Sequence, residues 1–110
     1  MIEFPDYEWS QLTANGNDAV GLFKKNGSEF ELIDQYGEPF DESNDPDGAW
    51  DIAGEVGTSK NRVLWRKWSV SEPNINWSAS AGLSKEDSEW IFKEKGDYSN
   101  LGTFTPKDDN

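Results

Sequence analysis

Three carboxylates, Glu86, Asp87 and Glu89, lie between Trp77 and Trp90 in the segment WSASAGLSKEDSEWIF. Two carboxylates hydrolyse a glycosidic bond when they face each other across a cleft, about 5–9.5 Å apart. Neighbours on a single turn rarely adopt that arrangement, so we expect a solvated turn with one capping aspartate. The two tryptophans are candidates for a sugar-stacking platform, but large aromatic side chains are core residues first, and we predict that both are buried.

The segment DESNDPDG, residues 41–48, is the best candidate ligand site in the sequence. Hard oxygen ligands are what Ca²⁺ requires, and four carboxylates lie close together here: Asp41, Glu42, Asp45 and Asp47. The spacing resembles the first half of an EF-hand loop, but Pro46 interrupts it and no glutamate follows at the twelfth position. Two interpretations therefore stay open, a Ca²⁺ site and a solvated acidic loop.

The segment KNRVLWRKW combines basic and aromatic side chains, a composition that binds single-stranded nucleic acid by stacking. The candidate patch consists of Lys60, Arg62, Arg66, Lys67 and Trp68. The alternative is that Arg66 makes an internal ion pair or cation–π contact while the other residues lie on a solvated face. The chain carries a net charge of −12, and that charge argues against a dedicated nucleic-acid partner because phosphate binding depends on lysine and arginine.

The composition excludes several classes of chemistry. The 110 residues form at most one domain, and they include no cysteine and no histidine. Thiol nucleophiles, disulfides, histidine bases and the usual zinc sites are therefore absent. No nucleotide-binding or triad motif is present either. We expect a non-catalytic protein without a cofactor, apart from the open question of Ca²⁺.

The turn and strand signals predict an all-β protein. Asn26-Gly27 separates two apolar runs and predicts a hairpin with a type I′ turn. The first of these runs, near residues 19–23, is apolar on both faces and predicts a buried strand. Further strands are predicted at 62–70, 88–92 and 101–105, and no window shows the 10–12 periodic residues of a helix. Short strands separated by turns are typical of a β-sandwich or barrel.

Several separated motifs resemble, in the same order, the C-terminal part of bacterial lamin-tail-type domains. They are NGNDAVGLFKKNG, LID, DGAWDIAG, TSKNRVLWRKWSV, NINWSASAG, DSEWIF and YSNLG. These domains are immunoglobulin-like antiparallel β-sandwiches of exported bacterial proteins, often next to extracellular nuclease domains. The resemblance implies a core strand opened by Asp18-Ala19-Val20 and a core that includes Trp50, Leu64, Trp77 and Trp90. It implies no catalytic residue.

The resemblance divides the chain into an arm or edge strand over 1–12, a sandwich domain over 13–105 and a polar tail over 106–110. Domains of this family begin with further strands, so the sandwich is expected to be incomplete on its N-terminal side. Exposed strand edges pair with other strands, and we therefore expect a protein partner or self-association by β-augmentation.

The functional expectation is a structural or protein-interaction module of an exported or cell-surface bacterial protein. One alternative is an assembly subunit, such as a virion decoration protein or a filament subunit, that shares strands between chains. A second alternative is an accessory substrate-binding domain of an extracellular nuclease or glycan enzyme. The location outside the cell comes from the resemblance, because the N-terminal residues show no signal peptide. No apolar run is long enough to span a membrane.

If residues 41–48 bind Ca²⁺, millimolar CaCl₂ should raise the melting temperature, because a ligand that binds the folded state stabilises it by about 2.7 kcal/mol at one hundred times its Kd. The melt should be compared with one in NaCl of equal ionic strength. Replacing Asp45 and Asp47 by asparagine should abolish the effect. An identical melt in both salts would remove the site.

Overall fold

The computed structural model describes residues 16–38 and 49–99, and these contain four strands and one short helix. In chain order they are β1 (Val20–Asn26), β2 (Glu29–Tyr36), β3 (Arg62–Arg66), α1 (Trp77–Ala81) and β4 (Trp90–Glu94). The strands form two antiparallel pairs, β1 with β2 and β3 with β4. The prediction of an all-β protein is confirmed at this level. The sequence-predicted strand at 101–105, the arm at 1–12 and the tail at 106–110 lie outside the described residues.

The β1–β2 hairpin forms where the sequence predicted it, but its turn is different. Asn26 pairs with Glu29, so Gly27 and Ser28 are the two central residues. Only Gly27 of this pair has a positive φ, at 66°. The expected type I′ turn, which needs positive φ at both central positions, is therefore wrong. A glycine at the first central position is the pattern of a type II′ turn.

Strand β1 is exposed over most of its length, which corrects the prediction of a buried strand. Phe23 is 51% exposed, and Phe30 on the partner strand is 66% exposed. The physical reason lies in the packing, because β1 and β2 form a two-stranded sheet to which no other described strand is added. Apolar residues on both faces of a strand indicate burial only when a second layer covers it.

The antiparallel pair β3–β4 turns one face toward the core. Leu64 lies opposite Phe92, and Arg66 lies opposite Trp90. Strand β3 ends at Arg66 and not at residue 70 as predicted, because the N–H of Val70 bonds back to the carbonyl of Lys67 in a turn. Strand β4 begins at residue 90, two residues later than predicted.

Helix α1 was not predicted from the sequence, because five residues are too few to show a helical period. Its N-terminus is capped by Asn76, whose side chain accepts a hydrogen bond of 3.0 Å from the N–H of Ala79. It ends at Gly82, with φ 72° and ψ 164°. This is a region of backbone space that is essentially restricted to glycine. A Cβ on Gly82 would lie 2.6 Å from the Cα of Ser88, so the close return of the chain also requires glycine.

The core is small and aromatic. Its buried apolar residues among those described are Ile52, Ala53, Trp77 and Ala81, and five partly buried ones pack against them: Tyr36, Trp50, Leu64, Trp90 and Phe92. The ring of Trp77 makes edge contacts with Tyr36 at 5.3 Å and Trp50 at 6.1 Å between ring centroids. Trp90 lies 6.2 Å away on the β4 side. One indole ring therefore contacts both pairs of strands.

Replacing Trp77 by alanine should reduce the free energy of unfolding by about 3–5 kcal/mol, since the change removes a buried aromatic ring and leaves a cavity. Chemical denaturation measures the loss. Leu83→Ala is a suitable control, because Leu83 is 86% exposed and its truncation should change stability by less than about 0.5 kcal/mol. Equal effects of the two substitutions would contradict the central position of Trp77.

Candidate functional site

Arg66 is the centre of a half-buried polar network that joins the two pairs of strands. Its Nη1 donates to Oδ2 of Asp34 on β2 at 2.8 Å. Its Nε donates to Oε2 of Glu89, just before β4, at 3.1 Å. The three side chains are only 19–23% exposed. Each carboxylate is thus held by the same guanidinium, whose planar group of N–H donors suits such double pairing.

Asn74 completes the network from the loop that follows β3. Its backbone N–H donates to Oδ1 of Asp34 at 3.1 Å, and its side-chain Nδ2 donates to Oε1 of Glu89 at 3.0 Å. The guanidinium of Arg66 also lies 4.8 Å from the ring centre of Trp90, which is within cation–π distance. No buried side-chain nitrogen or oxygen of residues 16–38 and 49–99 lacks a hydrogen-bond partner.

The local sequence explains why these side chains meet. Alternate residues of a strand share a face, so Asp34 lies on the same side of β2 as the core residue Tyr36. Arg66 follows Leu64 on the core side of β3 by the same rule, and the pairing register sets it opposite Trp90. Because the two pairs of strands pack their aromatic residues together, they also bring a carboxylate and a guanidinium together.

The network determines the protonation of its members. Burial opposes the ionisation of Asp34, but hydrogen bonds from Arg66 and from the backbone of Asn74 outweigh it, and the pKa of Asp34 lies below its ordinary value. The pKa of Glu89 is lowered in the same way, by Arg66 and Asn74 acting against burial. Burial also opposes the charge of Arg66, yet its two carboxylate partners raise the pKa of its guanidinium.

This arrangement is suited to holding structure rather than to acid–base catalysis. A general acid or base needs a pKa near the working pH, and the pKa values of Asp34 and Glu89 are shifted away from neutrality. Their oxygens are also occupied by fixed donors. The network therefore acts as a clamp between β2, β3 and the start of β4.

The carboxylates between Trp77 and Trp90 serve separate structures. Asp87 caps the preceding turn, where its Oδ1 accepts hydrogen bonds from the N–H groups of Leu83 at 3.0 Å and Ser84 at 2.7 Å. The backbone N–H of Ser84 is the main cause of the lowered pKa of Asp87. Glu89 belongs to the Arg66 network instead. Trp77 lies in the core, and Trp90 packs against it.

The structure divides the basic segment between several environments. Arg66 faces the network, and Arg62 pairs with Glu94 on the neighbouring strand. The Nζ of Lys67 donates to the backbone carbonyl of Lys85 at 2.7 Å. Lys60 is exposed, and Trp68 is partly exposed. Arg62 and Arg66 share one face of β3, and each is paired with carboxylates of the protein.

The candidate Ca²⁺ ligands Asp41, Glu42, Asp45 and Asp47 lie outside the described residues. Within residues 16–38 and 49–99, no three carboxylates converge in a way that would hold a metal ion.

Sequence reasoning named Arg66 as a candidate for an internal ion pair, but it did not identify the partners. Asp34 was visible as a charged residue inside the apolar run LIDQY, which is a signal for a paired charge. Asn74 offered no such signal, since an asparagine after a proline is ordinary in a turn.

Replacing Arg66 by methionine should lower the free energy of unfolding by about 2–3 kcal/mol, somewhat less than for a fully buried pair, because two half-buried carboxylates lose their partner. Arg62→Met is the matched control on the same strand. Its partner Glu94 has a side chain that is 86% exposed, and surface pairs contribute about 0–1 kcal/mol. Equal losses would show that the Arg66 network adds nothing beyond a surface ion pair.

Acid should remove the same stabilisation. The folded-state pKa values of Asp34 and Glu89 are lowered, so their contribution is complete above the unfolded-state values of about 4 and is lost as the pH falls through the lower folded values. The melting temperature of the wild-type protein should therefore fall below about pH 4. Arg66→Met should show a shallower fall when both proteins are measured by circular dichroism across this range. Parallel pH profiles would contradict this assignment.

Within the described residues, no helix has both the length and the apolar character needed to cross a membrane. Comparisons with models of known protein families, with curated proteins and with solved structures each found no match. The candidate site is therefore defined by its geometry alone, as an arginine-centred clamp between two small antiparallel sheets.

Proposed function

We propose that this chain is a non-catalytic protein-interaction module, an immunoglobulin-like β-sandwich of the lamin-tail type from an exported or cell-surface bacterial protein. The observation that carries the proposal is the apolar surface of the β1–β2 hairpin. The resemblance in sequence motifs supports the family and the location. The packing of two antiparallel pairs of strands against one aromatic core supports the sandwich.

The exposed aromatic side chains of the hairpin lie on the side of β1–β2 that carries Phe23, and Leu22 is exposed on the other side. Phe23 lies opposite Leu32, and Phe30 is the diagonal neighbour of Phe23 across the two strands. Both phenylalanines are more than half exposed. Contiguous exposed apolar surface is characteristic of sites that bind other proteins. We define Phe23, Phe30 and Leu32 as the hairpin patch.

The edges of the hairpin favour the same function. Among the described strands, β1 and β2 pair only with each other. A strand without a second neighbour presents unpaired N–H and C=O groups to an added strand. A two-stranded hairpin is only marginally stable by itself, so an added strand would both bind to the hairpin and stabilise it. A second copy of the chain meets this requirement, because it carries an identical edge and patch.

An assembly subunit that shares strands between chains is the second candidate, and the same exposed hairpin favours it. The two candidates differ in the size of the complex, because an assembly subunit forms closed or extended oligomers of fixed geometry. An accessory domain that binds nucleic acid has less support, because Arg66, the strongest member of the basic segment, is engaged by Asp34 and Glu89.

Light scattering after size exclusion, over a range of micromolar concentrations, tests the proposal. The wild-type protein should exceed the mass of a monomer at high concentration, and Phe23→Ser/Phe30→Ser should stay monomeric. The matched control is Val56→Ser/Leu83→Ser, which changes two apolar side chains that are more exposed and lie outside the hairpin. This control should associate as the wild type does. A discrete large oligomer would favour the assembly subunit.

Hydrogen exchange of the β1 amides gives the contrary outcome a clear form. In an interaction module, these amides should exchange faster than those of β3 in dilute protein, and their protection should rise with concentration. A monomer at every concentration, with β1 protected as strongly as β3, would overturn the hairpin as an interface.

A further inference from the structure

An open cavity of about 250 Å³ lies beside β4. Its apolar surface comes from Ala53, Trp90, Ile91 and Phe92, and its charged groups come from Lys67, Lys85 and Lys93. Small-molecule sites are typically apolar concavities with a few placed polar groups, from about 300 Å³ upward. The cavity therefore has the character of such a site, with a volume slightly below the usual range.

The charge of this lining is opposite to that of the protein. The chain has 22 acidic and 10 basic residues, yet the described residues that line the cavity include three lysines and no aspartate or glutamate. None of the three lysines forms a salt bridge with a residue of the described part of the chain. Positive charges that share one concavity repel one another, and an anion placed among them would relieve that repulsion.

The positions of the ammonium groups relate them to the aromatic floor. The Nζ of Lys85 lies 5.9 Å from the ring centre of Phe92. Lys67 is held near Lys85, because its Nζ donates to the backbone carbonyl of Lys85. A lysine ammonium has three donors, so this one bond leaves two for a ligand. Lys67 and Lys85 together thus present cationic donors at the rim of the cavity.

Lys93 contributes less than the other two lysines. Its Nζ lies 5.6 Å from the ring centre of Trp65. It is also close enough to Asp97 to help lower the pKa of that carboxyl, after the larger effects of the hydrogen bonds from Ser99. Its charge is therefore partly shared with the carboxylate of Asp97. Lys67 and Lys85 are the residues on which anion binding depends.

We propose that this cavity binds a small aromatic carboxylate, with the carboxylate between Lys67 and Lys85 and the ring against Phe92 and Ala53. A planar apolar body buries the floor, and its single negative charge meets the rim. Inorganic phosphate has the charge without the apolar body, and a neutral aromatic compound has the body without the charge. Each of these should bind more weakly than the carboxylate. The inference does not depend on the proposed hairpin interface.

Titration with sodium benzoate, followed by two-dimensional NMR of the backbone amides, tests the site. Sodium chloride keeps the ionic strength constant throughout. The amide signals of Ala53, Ile91 and Phe92 should shift and saturate in the millimolar range or below. Benzamide and sodium acetate are the comparison ligands, because each keeps one half of benzoate. Each should bind at least about fivefold more weakly than benzoate.

Lys85→Met is the informative variant, since methionine keeps an apolar stem and loses the charge. The loss of one ammonium should weaken benzoate binding about two- to fivefold, as expected for a partly exposed ion pair. Lys24→Met on β1 changes the net charge equally and lies outside the cavity lining, so it should leave benzoate binding unchanged. Melting temperatures of both variants check that the fold persists.

Several results would overturn the proposal. Signals that move equally with benzoate and benzamide would show that charge plays no part. Equal weakening by Lys85→Met and Lys24→Met would show a general charge effect instead of a site. Shifts that stay linear to high benzoate concentration, or that spread over the whole molecule, would show non-specific contact only.

Discussion

The packing of the buried Trp77 ring is the interaction on which both pairs of strands depend. Only 34% of the residues are hydrophobic, so few side chains are available to exclude water from the centre of the fold. A single indole ring contacts Tyr36 from β2, Trp50 from the loop before β3, and Trp90 from β4. Large aromatic rings bury about 150–250 Å² each, and this is how a small, polar chain obtains a core.

The Arg66 network acts where this aromatic packing ends. Nonpolar contacts have little directional preference, but the pairing of Arg66 with Asp34 and Glu89 requires a particular approach of β2 to β3. Breaking such a network leaves half-buried charges without partners, which is costly. The network therefore favours one relative arrangement of the two pairs of strands. The same satisfied charges make these residues poor acids and bases.

The surface regions of interest are those that the core and the network leave unmatched. The hairpin patch is apolar in a chain with a net charge of −12, and the cavity beside β4 is cationic in the same chain. Both lie outside the Arg66 network, and each is suited to a different kind of contact. We propose another polypeptide as the ligand of the hairpin patch and a small aromatic carboxylate as the ligand of the cavity.

Elements that depend on local chemistry could be predicted from the residues alone. The hairpin at Asn26-Gly27, the strand that includes Leu64, and the β-rich class follow from turn residues and alternating side chains. Helix α1 was too short to show a period, although Asn76 and Gly82 mark its ends. The exposure of β1 and the partners of Arg66 depended on which surfaces meet. Those contacts join residues distant in the chain, so they follow from the folded arrangement and not from any local pattern.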